Sequence, residues 1–199
     1  IHYNTGVAQD ALGNVKAAVA AYRRAVEADP GHLFARYNWA LDELRLREAG
    51  ESEAAFLARV RGAEERLRQI LARDPRHRDA GTLLVEALRL QGKHTEALEE
   101  CERLKRVFPA DGRLFELQGS ILLGLARYAE AAAQFRRAAE TEPALLTNAY
   151  FLALALEGLG RREEAAAHLE EFIERAGTDP KFERAVEYAR ERARALRGE

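Results

Sequence analysis

Three prolines, Pro75, Pro109 and Pro143, recur at an interval of 34 residues. A fixed period of this length means stacked supersecondary units, each unable to bury its apolar face alone, rather than one central core. A proline at the end of such a unit follows a helix that it cannot continue, because it has no N–H to donate. Residues 76–143 hold two complete units. With Arg78 and Gly112 as first slots, slot 8 is Val85 and Gly119, slot 20 is Ala97 and Ala131, and slot 24 is Cys101 and Phe135. Slot 27 is Leu104 and Ala138, and slot 32 is Pro109 and Pro143. Small residues recur where two helices must touch, and larger ones fill the space left between them. Breaks at Gln91-Gly92-Lys93 and at residues 124–127 fall midway, so each unit reads as a helical hairpin.

Reading outward extends the array. Residues 1–30 carry Gly6, Gly13, Ala18, Tyr22, Ala25 and Pro30 in register. Residues 144–177 carry Ala153, Gly160, Ala165, Leu169 and Phe172, with Gly177 where the closing proline would stand. The unit between Pro30 and Pro75 is 45 residues long. Its first half reads as a helix through Leu33, Tyr37, Ala40, Leu41 and Leu44, its second through Phe56, Val60, Ala63, Leu67 and Ile70. The expected turn is Ala49-Gly50-Glu51 with Ser52 as N-cap, and the surplus is expected to lengthen both helices by about a turn and a half each. Leu46, Phe56 and Leu57 then lie near the tip of an elongated hairpin, either packed on one another or as a contact surface. After Gly177, Asp179 and Pro180 suit a helix start. Phe182, Val186, Ala189, Ala193 and Leu196 form one narrow stripe, as expected of a terminal helix covering the last apolar surface.

Composition excludes several kinds of function. Ala, Leu, Glu and Arg, all good helix formers, dominate, and aromatic residues are only 8%. The net charge of −2 leaves no basic excess for nucleic-acid phosphates. No apolar run is long enough to span a membrane. The single cysteine, Cys101, cannot form a disulfide within the chain and sits in a core slot. No two of the five histidines are three or four residues apart, so none forms a helical metal pair. Adjacent acids such as Glu99-Glu100 point about 100° apart on a helix and read as solvated faces. No catalytic residue, metal site or cofactor is expected. The start at Ile1 and the lack of methionine lead us to expect a piece of a longer protein, with its compartment, cytoplasmic or periplasmic, undetermined.

The pattern of Gly119, Tyr128, Ala131, Phe135, Ala138 and Pro143, with Gly92, Ala97 and Pro109 before it, resembles the tetratricopeptide repeat (TPR). The resemblance covers residues 1–177 and implies an all-α fold, a right-handed α-solenoid of stacked antiparallel helix pairs. Five repeats (1–30, 31–75, 76–109, 110–143 and 144–177) and a C-terminal capping helix (178–199) are expected. In that family the first helix of each repeat lines a concave groove that binds peptides. The implied groove residues are Tyr3, Asn4, Tyr37, Asn38, Leu41, Thr82, Glu86, Arg89, Glu116, Ser120, Tyr150 and Leu154. Tyr-Asn recurs at 3–4 and 37–38, and an Asn amide can pair with a peptide backbone whatever its sequence. An alternative is that Tyr3 and Tyr37 fill space between repeats while Asn4 and Asn38 are simply solvated. The Lys/Arg clamp by which co-chaperone members hold a C-terminal carboxylate is missing: its slots hold Tyr3, Tyr37 and Thr82, then Val7, Leu41 and Glu86.

The expected function is a non-catalytic scaffold for a peptide or partner domain in a bacterial assembly (pilus, secretion, motility or envelope). A regulatory or substrate-binding segment of a larger enzyme, such as a glycosyltransferase or kinase, is the alternative. Self-association by end-to-end stacking stays open as a third reading.

Overall fold

The computed structural model describes residues 1–46 and 50–198. These residues form eleven α-helices and no strand. They divide into two compact units, Ile1–Glu100 and Cys101–Glu199, with the division inside the sixth helix. The N-terminal unit holds α1 (His2–Ala11), α2 (Val15–Ala28), α3 (Leu33–Arg45), α4 (Glu53–Arg73), α5 (Arg78–Leu90) and the start of α6 (His94–Val107). The C-terminal unit holds the rest of α6, then α7 (Gly112–Gly124), α8 (Tyr128–Thr141), α9 (Thr147–Gly158), α10 (Arg162–Ala176) and α11 (Glu183–Arg197). Helices adjacent in sequence pack together within each unit, α1 to α5 in one and α7 to α11 in the other.

The core is built from the slots that the period marks. Ala18, Ala97, Ala131 and Ala165 (slot 20) are completely buried. So are Cys101 and Phe135 in slot 24, with Tyr22 and Leu169 nearly so. Slot 8 is small for a steric reason: a Cβ on Gly6 would lie 2.4 Å from the Tyr22 ring, and one on Gly119 2.7 Å from Phe135. The turn inside the hairpin also repeats. Gly13, Gly92 and Gly160 all have positive φ, and Ala126 takes the same position with φ 56°. At each of these turns two backbone N–H groups return to carbonyls of the preceding helix, as with Ala126 N to Leu123 O and Arg127 N to Leu122 O.

The second hairpin differs from expectation. α3 has 13 residues, the same as α5 and α7, so it is not lengthened. Its end is set by Leu46, whose backbone is extended at φ −58°, ψ 131°. α4 takes the length instead, with 21 residues against 14 in α2 and α8, which carries it about 10 Å further. Ser52 caps it as expected, its hydroxyl accepting from Ala55 N at 3.2 Å. Ala49 of the expected turn lies outside the described residues, whereas Gly50 has the positive φ of a turn residue. Leu46, Phe56 and Leu57 are half-buried. Arg59 ties this end together: it donates to the carbonyls of Glu43 and Leu46, pairs with Glu51 at 2.5 Å and lies 5.4 Å from the Phe56 ring centre.

Asp179 caps a short 3₁₀ turn (Pro180–Phe182) that leads into α11, whose buried stripe is Val186, Ala189, Ala193 and Leu196. The stripe packs on α10.

Candidate binding faces

In the N-terminal unit the candidate residues come from α1, α3 and α5. Tyr3 is half-buried against the cluster of Ala18, Tyr22, Ala25 and Ala35, its ring 4.8 Å from that of His32. Tyr37 repeats the arrangement one repeat on, stacked at 5.6 Å on His77. His32 and His77 are the N-caps of α3 and α5, each accepting from a backbone N–H through Nδ1 at 3.2 Å. Each tyrosine therefore braces the cap of the next first helix, and burial pushes the Tyr37 phenol up. By sequence alone His77 reads as an ordinary turn residue. The signal for its role is the shared Pro-x-His spacing at Pro30–His32 and Pro75–His77.

Asn4 is exposed, whereas Asn38 is half-buried, its amide pulling down the Tyr22 phenol that burial raises. Leu41 is half-buried. Phe34, one turn before Asn38 on α3, is 68% exposed, and Val7 on α1 is 42% exposed. Phe34 was missed by sequence reasoning, although its slot holds Asp79 and Arg113 in the next two repeats and an aromatic there is a departure. On α5 the Thr82 hydroxyl donates to Asp79 O at 3.0 Å. Arg89 and Glu86 satisfy each other through two hydrogen bonds, which hold the Arg89 guanidinium above its ordinary range.

The opposite side of α3 carries a different cluster. The Arg66 guanidinium lies 3.5 Å from the Trp39 ring centre and pairs with Glu43 at 2.5 Å, and Trp39 Nε1 donates to Glu43 at 2.8 Å. Burial still holds the Glu43 carboxyl above its ordinary range, against the pull of Arg66. On α4, burial alone would raise Glu64. Hydrogen bonds from Lys93, Gln91 and Arg68 outweigh it and hold the carboxyl low. Both acids serve the packing of helices and are already paired.

In the C-terminal unit Glu116 accepts from the Thr147 hydroxyl at 2.6 Å, and the Ser120 hydroxyl donates to the Glu116 carbonyl at 2.9 Å. Leu154 is half-buried. Tyr150 is half-buried among Phe151, Phe172 and Tyr188, with ring centres 5.4 to 6.3 Å away. Tyr188 and Arg192 of α11 thus continue the row of α9, since Arg192 also pairs with Glu157. The terminal helix, expected as a cover, therefore also contributes side chains to this face.

Among the described residues no cluster of three or more His, Cys, Asp or Glu side chains could hold a metal, and no helix is long and apolar enough to cross a membrane.

No curated protein sequence matches the chain. Solved structures do. A thermophilic TPR protein of Thermus thermophilus, TTC0263, aligns over 94% of this chain and 96% of its own, at 25% identity and a TM-score of 0.70. MamA of Desulfovibrio magneticus RS-1 aligns over 87% and 92%, at 17% identity and a TM-score of 0.70. YrrB, a TPR protein with an unusual peptide-binding site, aligns over 87% and 84%, at 18% identity and a TM-score of 0.61. Profiles of the family described as Tetratricopeptide repeat match residues 57–121 in one case and residues 1–32 and 116–180 in another. The internal unmatched stretch, residues 33–56, begins with α3 and runs through the connection into the lengthened α4, where the repeat departs from its usual length. This α-solenoid chain belongs to the tetratricopeptide repeat family.

Proposed function

We propose that the chain is a non-catalytic protein-interaction scaffold in a bacterial assembly, and that it captures a peptide segment or partner domain on the first helices of its N-terminal unit. The carrying observation is Phe34, an aromatic 68% exposed on a helix whose other large apolar side chains are covered or half-covered. It shares one face of α3 with Asn38 and Leu41, at spacings of four and seven residues. An exposed aromatic supplies an anchor, and an amide beside it supplies sequence-independent pairing to an extended backbone. On α5 and in the C-terminal unit, Glu86, Arg89, Glu116 and Ser120 are occupied with partners inside the chain, which favours α3 as the centre of recognition.

The test uses residues 1–199 as bait in an extract of the source organism, beside folded Phe34→Ala, Asn4→Ala and Asn38→Ala variants. A partner held by the wild type and lost from Phe34→Ala supports this face. A partner held equally by all four baits moves recognition elsewhere.

A further inference from the structure

Asp42 is 1% exposed, the most deeply buried acid among the described residues. Neither carboxylate oxygen has a hydrogen-bond partner. The other two buried acids, Glu43 and Glu64, are each served by several donors. Asp42 lies on α3, one turn after Asn38, at the spacing where an amide and a carboxylate meet on a helix. Tyr22 of α2 faces both: burial and the charge of Asp42 raise its phenol, against the pull of the Asn38 amide. The other charged groups acting on Asp42 are Asp10 of α1 and Arg45 of α3, and among the described residues none acts from α4 or α5. Burial and the like charge of Asp10 raise the carboxyl to about 6.

A buried carboxylate without a donor is costly, so such a group either keeps its proton or draws in a donor. Two buried oxygens without a donor disfavour the charged form. Once the proton leaves to solvent, the donor with the right helical spacing is the Asn38 amide, one turn earlier on α3. We propose that Asp42 is a proton-operated switch on Asn38: the protonated acid leaves the Asn38 amide turned to the binding face, and the ionised acid draws that amide inward. Its consequence for binding rests on the reading that Asn38 belongs to that face. Mildly acidic conditions then keep the face competent, and ionisation withdraws its backbone-pairing group.

The test needs no ligand. The side-chain amide resonances of Asn38 are followed in the ¹⁵N-labelled chain from about pH 4 to about pH 8. The switch predicts one titration step, near the raised Asp42 value, that is abolished in Asp42→Asn. In Asp10→Asn the step moves to lower pH, because the facing charge is gone. Asn4, at the equivalent slot of the first repeat, stays flat. An Asn38 amide that does not titrate, or that titrates equally in Asp42→Asn, overturns the proposal. A separate arm measures a partner recovered by wild-type bait on both sides of the step. A severalfold loss at higher pH, absent in Asp42→Asn, supports both readings. A clear amide step with constant affinity keeps the switch and rejects Asn38 as a ligand contact.

Discussion

At the scale of single residues, four positions set measurable energies. Asp42 has a carboxyl raised above its unfolded value, so its sign is the reverse of a salt-bridged acid. Its contribution to stability is fully present below about pH 4 and is lost as pH rises through about 6. Asp42→Asn is therefore expected to stabilise the N-terminal unit at neutral pH, by at most about 3 kcal/mol, and to do little near pH 4. Urea melts at the two pH values check this; equal effects at both reject it. Ala126 holds a left-handed position that Gly13, Gly92 and Gly160 fill in the other repeats. Ala126→Gly is expected to raise stability by about 1 kcal/mol by removing the Cβ clash, read as a higher denaturation midpoint at constant slope. At Gly119 the reverse holds. A Cβ there meets the Phe135 ring at 2.7 Å, and that ring is completely buried and stacked on Phe151 at 5.8 Å. Gly119→Ala is expected to cost about 1–3 kcal/mol by overpacking. Gly158→Ala meets Tyr128 even more closely, at 2.4 Å, but that ring is only half-buried and can swing away, so its cost should be smaller.

At the scale of elements, the second hairpin shows what local pattern can and cannot tell. Apolar spacing in α3 and α4, the Ser52 cap and the total surplus of residues were all readable, because each is a property of neighbours in sequence. The split of the surplus was not. It is decided by Arg59, which reaches back 13 residues to the Leu46 carbonyl and 16 to that of Glu43, a tertiary bond with no local signature. With its side chain 13% exposed and its fork shared between two carbonyls and Glu51, Arg59 fixes where α3 stops and the connection begins. Arg59→Ala leaves those acceptors unpaired and is expected to cost about 1–3 kcal/mol. Hydrogen exchange in the first turns of α4 should rise before the rest of the unit opens. Arg59→Lys should not rescue it, since a single ammonium cannot span acceptors that a guanidinium bridges. Protection in both variants equal to wild type would remove this account of the hairpin.

At the scale of the molecule, the period made the fold legible, because a solenoid repeats one set of neighbour contacts and each slot is sampled several times. Slot 20 reads Ala in four repeats and is buried in all four. The candidate faces were less legible for the converse reason. A side chain such as Phe34 is distinctive by departing from the repeat, and one sequence cannot separate departure from drift. The same nearest-neighbour logic makes the ends of an array depend on what covers them. α11 lays Val186, Ala189, Ala193 and Leu196 on α10, where Leu169 and Phe172 are each 1% exposed. Removing residues 178–199 uncovers that surface while leaving every earlier helix pair intact. The expected result is a lower melting temperature confined to the C-terminal unit, together with concentration-dependent association seen by light scattering. Asp42→Asn should still stabilise the N-terminal unit of the shortened chain by the same amount, because distant sites add. A shortened chain that melts like the full one and stays monodisperse at high concentration would show that α10 needs no cover, and α11 would then be only a source of Tyr188 and Arg192 for the face beside α9.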